Sequence, residues 1–113
     1  MDFALSDDQK ALRDAAHAFS RDVVRPKAAH WDETSTFPKE IIRQGWELGL
    51  LNMTVPTDLG GIGIPHLSQC LVAEEMAWGC SGVATSMIAN DLALLPILIG
   101  ASKEQKERFV KPF

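Results

Sequence analysis

GVATSMIANDLALLPILIG, residues 82–100, is the stretch whose reading decides the fold. Wound as a helix, it scatters Thr85, Ser86, Asn90 and Asp91 at widely separated angles, so no single face is wet. A helix apolar nearly all round is a buried helix. The competing reading is a membrane span, which needs about 20 mostly apolar residues and penalises a central Asp by roughly 2.5 to 3.5 kcal/mol. Asn90 and Asp91 stand near the centre and Pro96 adds a kink, so the central helix of a soluble domain is preferred.

Downstream, Ser102-Lys103-Glu104-Gln105 is a capping box that opens a last helix to about residue 110, where Pro112 stops it. The end at Lys111-Pro112-Phe113 reads as a domain boundary. Upstream, Pro65 opens a third helix that runs to about residue 78 and closes at Gly79. Before it, VPTDLGGIGIP, residues 55–65, is loop by composition. Gly60-Gly61-Ile62-Gly63 has no strand leading into it and no Lys-Ser/Thr pair, so a tight turn needing positive φ is preferred over a phosphate cradle.

Pro38 starts a second helix with Ile41, Ile42, Trp46 and Leu48 on its apolar face and Gly49 at its C-terminal cap. The first helix begins at the capping box Ser6-Asp7-Asp8-Gln9. It turns Leu12, Ala15, Ala16, Phe19 and Val23 inward and Lys10, Arg13, Asp14, His17 and Arg21 to water. Pro26 is expected to kink or break it, with a further turn or two from Ala28 to Trp31. Nothing alternates with period two. The fold class is therefore all-α, an orthogonal or bundle-like packing of five to six helices in one domain of 113 residues.

Composition narrows the function. With 46% hydrophobic and 23% charged residues the chain reads as ordinary globular protein. A net charge of −4 and the lack of a basic stripe argue against nucleic acid as a partner. MDFALSDDQK lacks both an apolar core and a basic leader, so it reads as neither a secretion signal nor a transit peptide. Cys70 and Cys80, about 15 Å apart if they share a helix, are too distant for a disulfide and fit reduced intracellular thiols.

Candidate chemistry is sparse. His66 and Cys70 are spaced i, i+4, but two ligands are too few for a closed zinc site, so no metal is expected. Cys70 is taken as core and His66 as surface. Glu74 sits in the middle of a stripe formed by Leu67, Cys70, Leu71, Ala77 and Trp78. It is either a tuned general base or, preferably, half of a buried ion pair with an arginine from a neighbouring helix. Glu75 points about 100° away and is expected to be exposed. On the 82–100 helix, Ala84, Ile88, Leu92, Leu95 and Ile99 share a face with Thr85 at its edge. That face either packs on another helix or lines a channel for an apolar ligand.

Several segments carry a resemblance over the whole length. They are Asp8-Gln9-Lys10, Phe37-Pro38, Trp46-Glu47-Leu48-Gly49-Leu50, the turn from Val55-Pro56 to Gly63, and Glu74-Glu75-Met76-Ala77. Gly79-Cys80-Ser81-Gly82-Val83, Asn90 and Gln105-Lys106 extend them. The chain resembles the N-terminal helical domain of acyl-CoA dehydrogenases, closest to the medium-chain branch. The resemblance implies a larger enzyme, with a β-barrel-like middle domain and a C-terminal helical bundle that carry the catalytic glutamate and most contacts to FAD. Such enzymes convert an acyl-CoA thioester to the trans-2-enoyl-CoA, taking the α-proton on a glutamate and the β-hydride on the flavin, and an electron-transferring flavoprotein reoxidises them. The full-length enzyme is expected to be a homo-oligomer, a tetramer or dimer, in the bacterial cytoplasm or, for a processed eukaryotic protein, the mitochondrial matrix.

Carried over residue by residue, the resemblance assigns Ala84, Thr85, Ile88 and Leu92 to one wall of the acyl pocket, the same face the helical wheel selects. It assigns no catalytic residue to this chain, and the 113 residues alone are expected to be inactive. Medium-chain members commonly place a glutamate where Ile88 stands, so here the cavity floor is apolar and its depth differs. An acyl-CoA oxidase, a flavin monooxygenase or a stand-alone helical interaction module are the alternatives.

Overall fold

The two capping boxes form as the sequence dictates. Ser6 Oγ accepts from Gln9 N while Gln9 Oε1 accepts from Ser6 N, and Ser102 and Gln105 repeat the exchange. They open α1 (Asp7–Phe19) and α6 (Lys103–Phe109) in the computed structural model, which describes residues 3–112. Between them run α2 (Ala28–Thr34), α3 (Lys39–Glu47), α4 (His66–Gly79) and α5 (Ser81–Gly100). Among the described residues there is no strand. Phe113, the last residue of the boundary reading above, lies outside them.

Pro26 acts without breaking the rod. It has no N–H to give, and the ladder adjusts through a wide π turn (Ser20–Val24) and a tight 3₁₀ turn (Arg25–Lys27) before α2 resumes. The π turn carries the fully buried Ser20 against α4, where its hydroxyl contacts Met76 Sδ at 3.4 Å. On the solvent side Arg21 grips Asp22 with two hydrogen bonds of 2.7 Å, which hold that carboxyl below its ordinary range. Both side chains are exposed, so the pair contributes little to stability.

α3 ends as its Gly49 requires. Gly49 has φ +71°, its N–H returns to Trp46 O, and the N–H of Leu50 returns to Gly45 O, the paired bonds of a Schellman cap. The 55–65 segment closes as a turn built on Gly60 (φ +92°) and Gly63 (φ +56°), with Gly63 N donating to Val55 O and Ile64 N to Met53 O. A short 3₁₀ turn, Thr57–Leu59, lies within it. Gly61 is pressed against the Val55 carbonyl, where a Cβ would collide with backbone. Gly61→Ala is therefore expected to destabilise by about 2 kcal/mol, read by urea unfolding, because the obstructing atom is not a movable side chain.

The helices form a slab of 42 × 42 × 20 Å. Its thickness is about two helix diameters, and its radius of gyration of 15.0 Å exceeds the roughly 13 Å of a rounder chain of this length. The main core joins Phe19, Ile41, Leu50, Met53, Val72, Met76 and Met87; a smaller one joins Val55, Leu59, Leu94 and Val110 beside α6. A slab this thin cannot enclose a helix on every side, and three sequence expectations are corrected by that fact.

First, α5 is not buried all round. Val83, Ala84, Met87, Asp91 and Leu94 face the core, whereas Leu92, Leu95 and Ile99 are exposed. Its mean hydropathy of 1.6 and length of 20 residues match a membrane crossing by composition, with 28% of that window buried. The oily sequence calls for cover on both sides, and these residues cover one. Second, Trp46 on α3 and Leu48 at its C-cap are exposed and Ala15 on α1 lies outward; α3 turns in Ile41 and Gly45 instead. Gly45 faces Met87, whose side-chain end would have to move to admit a Cβ.

Third, the stripe drawn on α4 is the open face. Its buried row is Ser68, Val72, Met76 and Gly79, while Leu67, Cys70, Ala77 and Trp78 are exposed. α4 carries apolar residues at every angle, so a wheel through the largest ones selects the face that the small Ser68 and Gly79 do not mark. Glu74 is consequently exposed and makes no buried ion pair with arginine. Glu75 is the half-buried partner: its Oε2 lies 2.6 Å from Nδ1 of His17, which also does not simply face water. Trp78 lies against both the His17 ring (4.7 Å, tilted by 32°) and the Arg25 guanidinium (4.4 Å), and Arg25 donates to the Trp78 carbonyl. Glu74→Ala is expected to change stability by less than about 0.5 kcal/mol and Glu75→Ala by about 1 kcal/mol in the same unfolding assay.

Candidate functional site

α4 and α5 meet in a hairpin with a one-residue joint. Cys80, extended at φ −165° and ψ 117°, turns the chain from the end of one helix into the start of the next. Side chains near such a joint are forced together, and here most are small. The result is a groove of about 400 Å³, lined by Ala73 and Ala77 from α4 and Ser81, Ala84, Thr85, Ile88, Ala89 and Leu92 from α5. That volume is in the range of small-molecule sites. It follows α5 for about 16 Å, from Ser81 to Leu92.

All four residues that the sequence placed on a pocket wall, Ala84, Thr85, Ile88 and Leu92, line this one groove. Ala84 is buried at its base, Ile88 is half-buried, and Leu92 stands at the rim with 74% of its surface exposed. Thr85 turns its hydroxyl back to Ser81 O at 2.8 Å, so that donor is spent within the helix. No Lys or Arg and no carboxylate lines the groove among the described residues. Such a surface is suited to hydrocarbon and has no group to move a proton. Leu95 and Ile99 continue the row beyond the groove and are open.

The groove is set in place by a residue the sequence reading did not assign. Asp91, 8% exposed, accepts hydrogen bonds from Met53 N (3.3 Å), Thr54 N (3.0 Å) and Thr54 Oγ1 (2.6 Å). It pins the loop after α3 to the back of α5, one residue before Leu92. Ala73 and Ala77 were also not singled out; their i, i+4 spacing opposite the α5 face is the signal that marks them. His66 and Cys70 are both exposed, which corrects the core assignment of Cys70. No cluster of three metal-binding side chains occurs among the described residues.

The chain is thus an all-helical slab that presents an apolar groove. Comparison with known proteins places it in a family. The family described as acyl-CoA dehydrogenase, N-terminal domain, matches residues 6–113, and the chain belongs to that family. It is 38% identical over 110 residues to a probable medium-chain specific acyl-CoA dehydrogenase of Caenorhabditis briggsae, covering 97% of this chain and 27% of that one. Its fold matches butyryl-CoA dehydrogenase from Megasphaera elsdenii with a TM-score of 0.86 and 32% identity, over 99% of this chain and 30% of that one. An acyl-CoA dehydrogenase from Bacillus anthracis complexed with FAD matches with a TM-score of 0.81 and 27% identity, over 95% of this chain and 18% of that one. The chain thus spans about a quarter of the length of the curated relative.

Proposed function

We propose that this chain is the N-terminal helical part of an FAD-dependent acyl-CoA dehydrogenase, and that the α4/α5 groove is one wall of the pocket for the acyl tail. The observation that carries the reading is the groove itself: Ala84, Thr85, Ile88 and Leu92 gather in one apolar trough, on the side of α5 that these residues leave uncovered. A thioester dehydrogenation needs a dry slot holding the reacting carbons in line with base and acceptor. This chain supplies dryness and alignment through hydrocarbon contact. Middle and C-terminal domains would close the slot over the open face.

The residues described here do not fit a flavin. Gly60, Gly61 and Gly63 spend their N–H groups on Thr57 O, Pro56 O and Val55 O, and the groove presents no cation to a pyrophosphate among the described residues. FAD and the catalytic base belong, in this proposal, to the rest of the polypeptide, and no catalytic residue is assigned here. The electron acceptor would be an electron-transferring flavoprotein. The full-length enzyme would be a homo-oligomer, in the bacterial cytoplasm or the mitochondrial matrix.

The test is oxidation of an acyl-CoA series by the full-length protein, with and without an electron-transferring flavoprotein. Turnover that depends on that acceptor is the expected result. Turnover sustained by oxygen alone would make the enzyme an oxidase, and no oxidation of any acyl-CoA would overturn the reading.

A further inference from the structure

We infer that Ala73 and Ala77 are specificity-determining residues that set the breadth of the acyl tail, and that the tail this enzyme takes is an uncharged hydrocarbon with room for a branch. This rests on the acyl-pocket reading above. The two banks of the groove are unequal. On the α5 bank Ile88 and Leu92, one turn apart, present branched side chains; on the α4 bank Ala73 and Ala77, also one turn apart, present single methyl groups. The width so created is fixed. α4 is held from behind by Val72 and Met76 in the core and by Gly79, whose Cα abuts Ser20 so closely that an added Cβ would sit 2.9 Å from the serine Cβ. A single residue, Cys80, joins the two helices. Packed interiors do not collapse to follow a thin ligand, so an unbranched tail leaves space on the alanine side that a methyl branch fills.

Charge is poorly matched by the same surface. Thr85 has spent its donor on Ser81 O, the Ser81 hydroxyl is neutral, and no cation lines the groove among the described residues. A terminal carboxylate on the tail would be desolvated there without a charged partner.

The experiment compares butanoyl-CoA, 3-methylbutanoyl-CoA and glutaryl-CoA as substrates of the full-length enzyme and of its Ala73→Leu and Ala77→Leu variants. The wild type is expected to oxidise the branched tail within about tenfold of the straight one and to discriminate against the carboxylated tail by about a hundredfold or more. Each leucine is expected to lower the branched-to-straight ratio of kcat/KM by about tenfold or more. Ala77 is exposed and its leucine variant is expected to fold; Ala77→Met, with its adaptable side chain, repeats the test if it does not. An unchanged branched-to-straight ratio in variants that melt like the wild type overturns this inference alone. A wild type that oxidises none of the three, nor any longer acyl-CoA, overturns it together with the acyl-pocket reading.

Discussion

Asp91→Ala is expected to destabilise the domain by about 3 kcal/mol and to lower its melting temperature by roughly 10 to 15 °C. The carboxylate answers three donors at once, Met53 N, Thr54 N and Thr54 Oγ1. A buried donor that loses its acceptor costs about 1 to 3 kcal/mol, and Met53 is 3% exposed, so its N–H has little access to replacement water. Thr54 is half-buried and recovers part of its loss by hydration, which keeps the total below three full penalties. Asp91→Asn is expected to fall between, near 2 kcal/mol, because the amide keeps one acceptor and turns an N–H toward a donor. Hydrogen exchange provides the local measurement: the amides of 53 and 54 should lose protection in both variants. Wild-type melting and unchanged exchange would show that the contact contributes nothing.

Asp91 also links the loop to the groove. One helical turn before it stands Ile88 and immediately after it Leu92, so the same residue that anchors 53–54 fixes the rotation of α5 about its axis. The pinned back of the helix and its groove-lining front are thereby one element.

How far the sequence foretold this depends on which partner each residue uses. The capping boxes at Ser6 and Ser102 and the Gly49 cap were legible because each is a contract between residues within five positions, and the turn at Gly60 and Gly63 because glycine is the residue that takes positive φ. The α5 bank of the groove was legible because Ala84, Ile88 and Leu92 repeat at helical spacing. Asp91 showed itself as a polar residue out of place, but its partner is backbone 37 and 38 positions upstream, and backbone amides carry no sequence signature. The α4 bank was silent for a related reason: alanine suits core, surface and groove alike, so Ala73 and Ala77 reveal nothing until the opposing helix is placed. Glu74 was misread because hydrophobic periodicity assumes that large apolar residues mark the inside. On α4 and α5 they lie on both sides, and among the described residues only one of those sides is covered.

Ile88 is where the proposed pocket is most sensitive to a single side chain. It is half-buried midway along the groove, between Thr85 and Leu92, and its neighbours Ala84 and Ala89 leave it the bulkiest group there. Ile88→Trp in the full-length enzyme is expected to fill the trough beyond that point, lowering kcat/KM for the longest accepted tails by about 10 to 100-fold and sparing the shortest. Ile88→Glu acts by chemistry instead of volume. A carboxylate facing hydrocarbon must be desolvated when a tail reaches it, so every acyl-CoA long enough to pass residue 88 should suffer and shorter ones should not. The two variants together separate length from polarity: tryptophan moves the cutoff, and glutamate penalises whatever crosses it. Because the side chain faces the groove, both are expected to melt within about 1 kcal/mol of wild type. A chain-length profile that keeps its shape in both variants would remove Ile88 from the pocket and, with it, the assignment of this face of α5 to the acyl tail.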